Sequence, residues 1–189
     1  KSLSEFEQAS LPMNQLLTQF TAWVGRLAPK IDQIVKDNKS AKAHEFILRE
    51  AAEQSKYLMS EPEEALAAEM SLSGGNAFGK LQGTVTSQLS VEFELDGQVQ
   101  KLPMPALINL RSHPDEATRR RAYEAENKAW DEVKETLAAC LNGVKGEMNT
   151  LNKKRGRKDA IHASLDTSRM DRKTLDAMLS AITEAFPMF

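Results

Sequence analysis

The chain has 189 residues, 41% of them hydrophobic and 28% charged, a globular balance that supports one medium domain or two small ones and excludes wholesale disorder. Lys and Arg number 25 against 27 Asp and Glu, so the net charge of -2 lacks the basic excess of a generic nucleic-acid binder. A single cysteine, Cys140, excludes an internal disulfide, fits a reducing cytoplasmic setting, and reads as a buried structural thiol.

Leu16, Leu17, Phe20, Trp23, Val24 and Leu27 recur at helical spacing from Leu11 onward. Pro29 interrupts them, and Ile31, Ile34 and Val35 continue after a kink or short turn. The polar stretch from Asp37 to Ser40 breaks the chain, and a second helix is predicted over 41–59. Ser60, Pro62 and Glu63 mark a helix start with a capping box. Ser73-Gly74-Gly75-Asn76 should end or bend that helix, because paired glycines are costly inside one. A further amphipathic stretch covers about 77–87. Strand chemistry appears once: Leu89, Val91, Phe93 and Leu95 alternate with Ser90, Glu92 and Glu94, and Asp96-Gly97 signals a hairpin turn into 98–102. A short helix follows over 102–110. Ser112 or His113 should cap the longest element, with Pro114 in its first turn and Asp115 and Glu116 at the positive end of its dipole. Trp130, Val133, Leu137, Cys140, Val144, Met148 and Leu151 predict one buried stripe on a helix of nearly forty residues that stops at Gly156. A short segment near 160–165 precedes a last helix capped by Asp171, with Leu175, Met178, Leu179 and Ile182 inward. The fold class is therefore all-α with one small β-hairpin near 89–102. The apolar runs are too short to cross a bilayer.

Candidate chemistry is thin. His44, His113 and His162 fall on three different predicted elements. His44-Glu45 begins like a zinc-binding H-E-x-x-H helix, but Leu48 stands where the second imidazole must be. His113 reads as a cap and His162 has no ligand partner at useful spacing. Glu61, Glu63 and Glu64 read as helix-start charge, and Glu124 with Glu126, and Asp131 with Glu132, as a solvated helix face rather than acid–base pairs. Ser73-Gly74-Gly75 lacks the preceding strand and the nearby lysine of a phosphate loop, so a backbone bend is preferred. The basic run from Lys153 to Lys158 reads as a helix end, and Arg119, Arg120 and Arg121 splay about 100° apart. No catalytic, cofactor-binding or metal-ligating residue can be named.

Several segments, in order, resemble the N-terminal portion of the oligoendopeptidase F family, zinc metallopeptidases of the M3, thimet oligopeptidase-like, group. They are AAEMSLSGGNAFGKLQGTVTSQL (67–89), LPMPALINL (102–110), RRRAYEAE (119–126), NGVKGEMNTLNKKRG (142–156) and RMDRKTLDAMLSAITEAF (169–186). The match runs from about Ser60 onward; the first forty residues share only helical character. The resemblance implies a helical protein with a channel between two lobes, a zinc held by H-E-x-x-H and a further acidic residue, and short peptides as substrates. Those ligands are not in this sequence. The chain opens at Lys1 rather than a methionine and stops at Phe189 within a predicted helix, so the expectation is a catalytically silent piece of a larger enzyme.

The implied organisation is an N-terminal helical lobe with the hairpin over 1–112 and the first helices of a catalytic domain over 113–189. Partners would be short peptides, with zinc in the parent and neither nucleic acid nor membrane, and exposed lobe surface could drive self-association. Two other classes remain open: a non-enzymatic helical interaction or adaptor module, and an RNA-binding helical protein using Lys153 to Lys158.

Overall fold

A computed structural model describes residues 2–189, with side chains from residue 4 onward. The chain is mostly helical with one two-stranded antiparallel sheet, as its patterning requires. It divides into two compact units, one comprising the chain up to Glu69 together with Met148–Phe189, the other Met70–Glu147.

The first unit opens with α1, Ser2–Leu27. This helix begins well before Leu11 and carries Pro12 inside it. Its first turns carry only sparse apolar positions, Leu3, Phe6 and Ala9 among Ser, Glu and Gln, so periodicity places the start later. Pro29 sits in a 3-10 turn, Ala28–Lys30, leading to α2, Ile31–Asp37. Asn38 is extended, and its side chain accepts the Ala41 amide at 3.0 Å to start α3, Lys39–Ala43. The predicted helix over 41–59 is divided at His44, whose φ of -113° separates α3 from α4, Glu45–Gln54. Val24, Ile31 and Val35 form this unit's core cluster, with Leu48, Ala51 and Ala52 packed on it. Glycine at 25 permits the close approach of α1 to the turn after α4: a Cβ there would lie 2.3 Å from Ser55 Oγ.

Helix α5, Glu61–Ser73, starts at the expected place with altered chemistry. Glu63 does accept the Ser60 amide, at 3.0 Å, but the Ser60 hydroxyl donates to the same carboxylate at 2.6 Å instead of accepting a backbone N–H.

The second unit contains α6, Gly75–Gln88; β1, Ser90–Leu95; β2, Gln98–Pro103; α7, Met104–Asn109; and most of α8, Glu116–Lys154. Asp96 (φ 54°) and Gly97 (φ 75°) form the two-residue left-handed turn that matches strand twist. Leu95 pairs with Gln98, Phe93 with Gln100 and Val91 with Leu102. This puts Val91, Phe93, Leu95 and Leu102 on one face. That face meets Met104, Leu107, Ala122 and Ala129 in the second core cluster. A two-stranded ribbon is marginal alone, and here α7 and α8 supply the apolar surface it needs.

The cap of α8 is Asp115, not Ser112 or His113. Its carboxylate accepts the Thr118 amide at 2.8 Å and the Thr118 hydroxyl at 2.7 Å, while His113 Nδ1 accepts the Asp115 amide at 3.1 Å. The stripe along α8 is also less covered than expected. Cys140 is buried, Trp130, Val133 and Leu137 are half-buried, and Val144 is exposed. Helix α8 ends at Lys154, and left-handed Gly156 (φ 72°) stops it, as expected.

Back in the first unit, α9, His162–Thr167, is followed by Asp171, which accepts the Thr174 amide at 2.7 Å to start α10, Arg172–Ala185. The apolar positions expected inward on α10 are instead exposed: Met178 48%, Leu179 53% and Ile182 50%. Helical period fixes that they share a face, but nothing in this unit covers it.

Candidate functional site

Two features in the described residues offer chemistry to a ligand: the free edges of the hairpin and a cleft beside α5. Leu95 and Gln98 flank a two-residue turn and so form a hydrogen-bonded pair. The alternation then leaves the amides and carbonyls of Glu92, Glu94, Val99 and Lys101 directed away from the ladder. Strand β2 is exposed along nearly its whole length, and Val99 is 71% exposed. An exposed strand edge of this kind is a template for pairing an extended peptide.

The cleft, about 340 Å3, lies between α1 and α5 and is lined by Asn14, Gln15, Gln19, Glu61, Glu64 and Arg155, among others. At its base Arg155 grips Glu64 with a fork: Nε to Oε1 at 3.0 Å and Nη2 to Oε2 at 2.7 Å. Glu64 Oε1 also accepts the Met59 amide at 3.0 Å. Burial works to raise the Glu64 pKa, but the Arg155 and Met59 hydrogen bonds outweigh it and hold the carboxyl below its usual value. Glu61, at the rim, accepts from Gln19 Nε2 at 2.6 Å.

Glu64 is therefore not helix-start charge exposed to solvent; it is 7% exposed. Glu126 is likewise buried rather than on a solvated face. It accepts from Arg111 Nε at 3.0 Å and Nη2 at 2.5 Å and from the Trp130 indole at 3.2 Å. Burial pushes its pKa up, and Arg111 and Trp130 bring it below the usual value.

The basic run from Lys153 to Lys158 is partly internal. Arg155 serves Glu64. Arg157 is hydrogen-bonded to Asp166, donates to Gln54 Oε1 at 2.8 Å and lies 4.1 Å over the Tyr57 ring. Two of the run's cations are thus committed inside the protein rather than to an external polyanion. Arg119, Arg120 and Arg121 splay as expected. Arg119 donates to the His113 and Pro114 carbonyls, Arg120 lies 3.8 Å from Glu116, and Arg121 lies 5.4 Å over Phe93.

Ser73-Gly74-Gly75 is a bend between α5 and α6. The position where a phosphate would sit is filled by Glu147, whose carboxylate accepts the Gly75 amide at 2.5 Å and the Ser71 hydroxyl. His44 is exposed between α3 and α4, and His113 helps order the start of α8. His162 accepts the Lys158 amide at 3.2 Å and meets Tyr57 edge-on at 4.9 Å. Among the described residues no three His, Cys, Asp or Glu side chains cluster closely enough to hold a metal ion. The described residues therefore offer no donor set that fits zinc.

Residues 28–90 match the N-terminal family model of M3 peptidases described as oligopeptidase F. Over those residues the chain is similar to the N-terminal portion of oligopeptidase F. It is 25% identical over 162 residues to oligopeptidase PepF of Bacillus subtilis strain 168, an alignment covering 84% of this chain and 24% of that protein. The chain thus spans about a quarter of the length of the curated relative it matches. No solved structure matches it. The oligopeptidase F match takes in α2 through α6 and the first residue of β1, and so includes Glu61, Glu64 and the Gly74 bend. Arg155 and nearly all of the hairpin lie beyond it. No described helix is long and apolar enough to cross a membrane.

Proposed function

We propose that the parent protein is a zinc-dependent oligoendopeptidase that hydrolyses internal bonds of short peptides in the cytoplasm. This portion supplies channel wall and support, not reacting groups. Residues 1–112 act as the N-terminal lobe and 113–189 as the opening helices of the catalytic domain. The observation that carries this reading is the oligopeptidase F match over 28–90, joined to the relative aligned across 84% of the chain. The zinc belongs to polypeptide outside this chain, and no step of the reaction is assigned to residues described here.

The hairpin borders the peptide channel on this reading, its exposed β2 edge offering backbone donors and acceptors to an extended substrate. Removing residues 90–103 from the full-length parent should raise KM for short peptides while leaving zinc content unchanged. An unchanged KM refutes the hairpin's role. Stoichiometric zinc binding with peptide cleavage by the purified 189-residue chain refutes the scaffold reading as a whole.

A helical interaction module is the second reading. It is favoured by the apolar side chains exposed on α1, among them Phe6, Met13, Leu16 and Trp23. The parent's reading frame discriminates: an H-E-x-x-H helix downstream supports the peptidase, and its absence supports the module. Either reading allows the isolated chain to self-associate through these faces, which sedimentation velocity at increasing concentration would reveal.

A further inference from the structure

The cleft between α1 and α5 is lined by two unlike charged groups, Glu61 and Arg155, that together could take a small zwitterion. Glu64 and Arg155 neutralise one another at the base, and the fork consumes Nε and Nη2 of the guanidinium. Among the described residues Nη1 of Arg155 makes no hydrogen bond, and Arg155 lines the cleft. It can therefore donate to a ligand carboxylate. Glu61, exposed at the rim, uses one oxygen for Gln19 and pairs with no cation among the described residues, so its carboxylate can take an ammonium. Glu61 and Glu64 are three residues apart on α5, about 4.5 Å of helical rise, and Arg155 is fixed on Glu64. An acidic and a basic group therefore share the lining of one cleft. A dipeptide, whose two residues span at most about 7 Å, carries an ammonium and a carboxylate at opposite ends and can address both groups at once.

The rest of the lining agrees. Asn14, Gln15 and Gln19 present side-chain amides suited to a peptide bond, and Ala65 and Ala68 leave room for small side chains. A volume of about 340 Å3 falls within the range of small-molecule pockets, roughly 300–1,000 Å3.

We infer that this cleft is a non-catalytic binding site for free dipeptides, with the amino terminus on Glu61 and the carboxyl terminus on Arg155. It rests on the cleft's own groups, not on the peptidase reading, and either can fail alone. The site would let the chain sense short peptides of the size that peptide hydrolysis releases.

The test uses the 189-residue chain without metal and follows the side-chain amides of Asn14, Gln15 and Gln19 in 1H–15N spectra during titration with Ala-Ala. Saturable shifts are expected, with N-acetyl-Ala-Ala and Ala-Ala amide each bound at least about tenfold more weakly. Glu61→Gln, at an exposed position, should reduce Ala-Ala affinity to that of the acetylated ligand while leaving the rest of the spectrum unchanged. Arg155→Lys should weaken Ala-Ala but not Ala-Ala amide. Absence of saturable shifts overturns the inference, as does equal binding of the doubly blocked dipeptide, or an E61Q variant that binds Ala-Ala like the wild type.

Discussion

Replacing Arg155 by methionine removes the guanidinium from Glu64 but keeps an unbranched apolar stem. Breaking one side of a fully buried ion pair costs about 3–5 kcal/mol, because the remaining charge is left without its partner. Here the Glu64 side chain is 7% exposed and Arg155 30%, so water reaches the vacated space and the expected cost falls to about 2–3 kcal/mol. At a urea m-value of about 2 kcal/mol/M this moves the midpoint down by roughly 1 M, readable by circular dichroism. Glu64→Gln in the same background should recover part of the loss, since a neutral amide is cheaper to bury, and the double-mutant cycle isolates the pair. Acid should shrink the effect. In the wild type the Glu64 pKa is depressed, so its stabilisation is present above the unfolded pKa and is lost as pH falls through the folded one. In R155M burial remains without the main lowering group, the pKa rises, and protonation relieves the penalty. The difference between the two proteins should therefore narrow from about pH 7 toward about pH 4. A difference under about 0.5 kcal/mol at neutral pH, or one that does not narrow, refutes this account of the base of the cleft.

Gly143→Ala places a Cβ 2.3 Å from Phe78 Cδ2, so the ring must swing outward. Thermal melts should show a loss of about 1–3 kcal/mol that disappears in a Phe78→Ala background. Cys140, 2% exposed, should react with a thiol reagent only as fast as the protein opens, and labelling should accelerate with urea; prompt labelling in native buffer would show the α8 stripe to be open.

The helices, the hairpin and its turn were legible because each has a local cause: apolar period, Asp96-Gly97, Gly156, Asp171. The cleft was not, since Arg155 and Glu64 meet across 91 residues and a carboxylate at a helix start reads as surface. A signal for Glu126 did exist. It lies four residues after Ala122 and three before Ala129, on the same face as those buried alanines, and that face continues to Val133, Leu137 and Cys140. Alanine carries little apolar weight, so periodicity places the start of the stripe at Trp130. Asp115 had a signal too, because it precedes Thr118 by the three residues that separate a cap from the amide it serves. The exposed faces of α1 and α10 mark the other limit. Period shows which side chains share a face, but burial depends on what packs there.

The end of α9 shows how a local rule yields to a tertiary contact. Both α8 and α9 finish in the same motif. Gly156 donates to the Lys153 carbonyl and Arg157 to Asn152; Arg169 donates to the Asp166 carbonyl and Met170 to Leu165. The left-handed residue is glycine in the first case and Arg169, φ 51°, in the second. A side chain in that conformation costs about 1 kcal/mol or more. Arg169 is retained with two compensations: its guanidinium lies 3.5 Å from Glu50 and 4.6 Å over the Phe46 ring, tying the segment after α9 to α4. The side chain is 68% exposed, so the ion pair contributes at most about 1 kcal/mol and the ring contact about 0.5–1 kcal/mol. Arg169→Ala loses both contacts and keeps the strain, whereas Arg169→Gly loses both and relieves it. Chemical denaturation should therefore rank wild type and R169G within about 1 kcal/mol of each other, and R169A about 1 kcal/mol below R169G. If R169G is as unstable as R169A, the backbone at this position is not strained and the arginine's contacts alone explain its place.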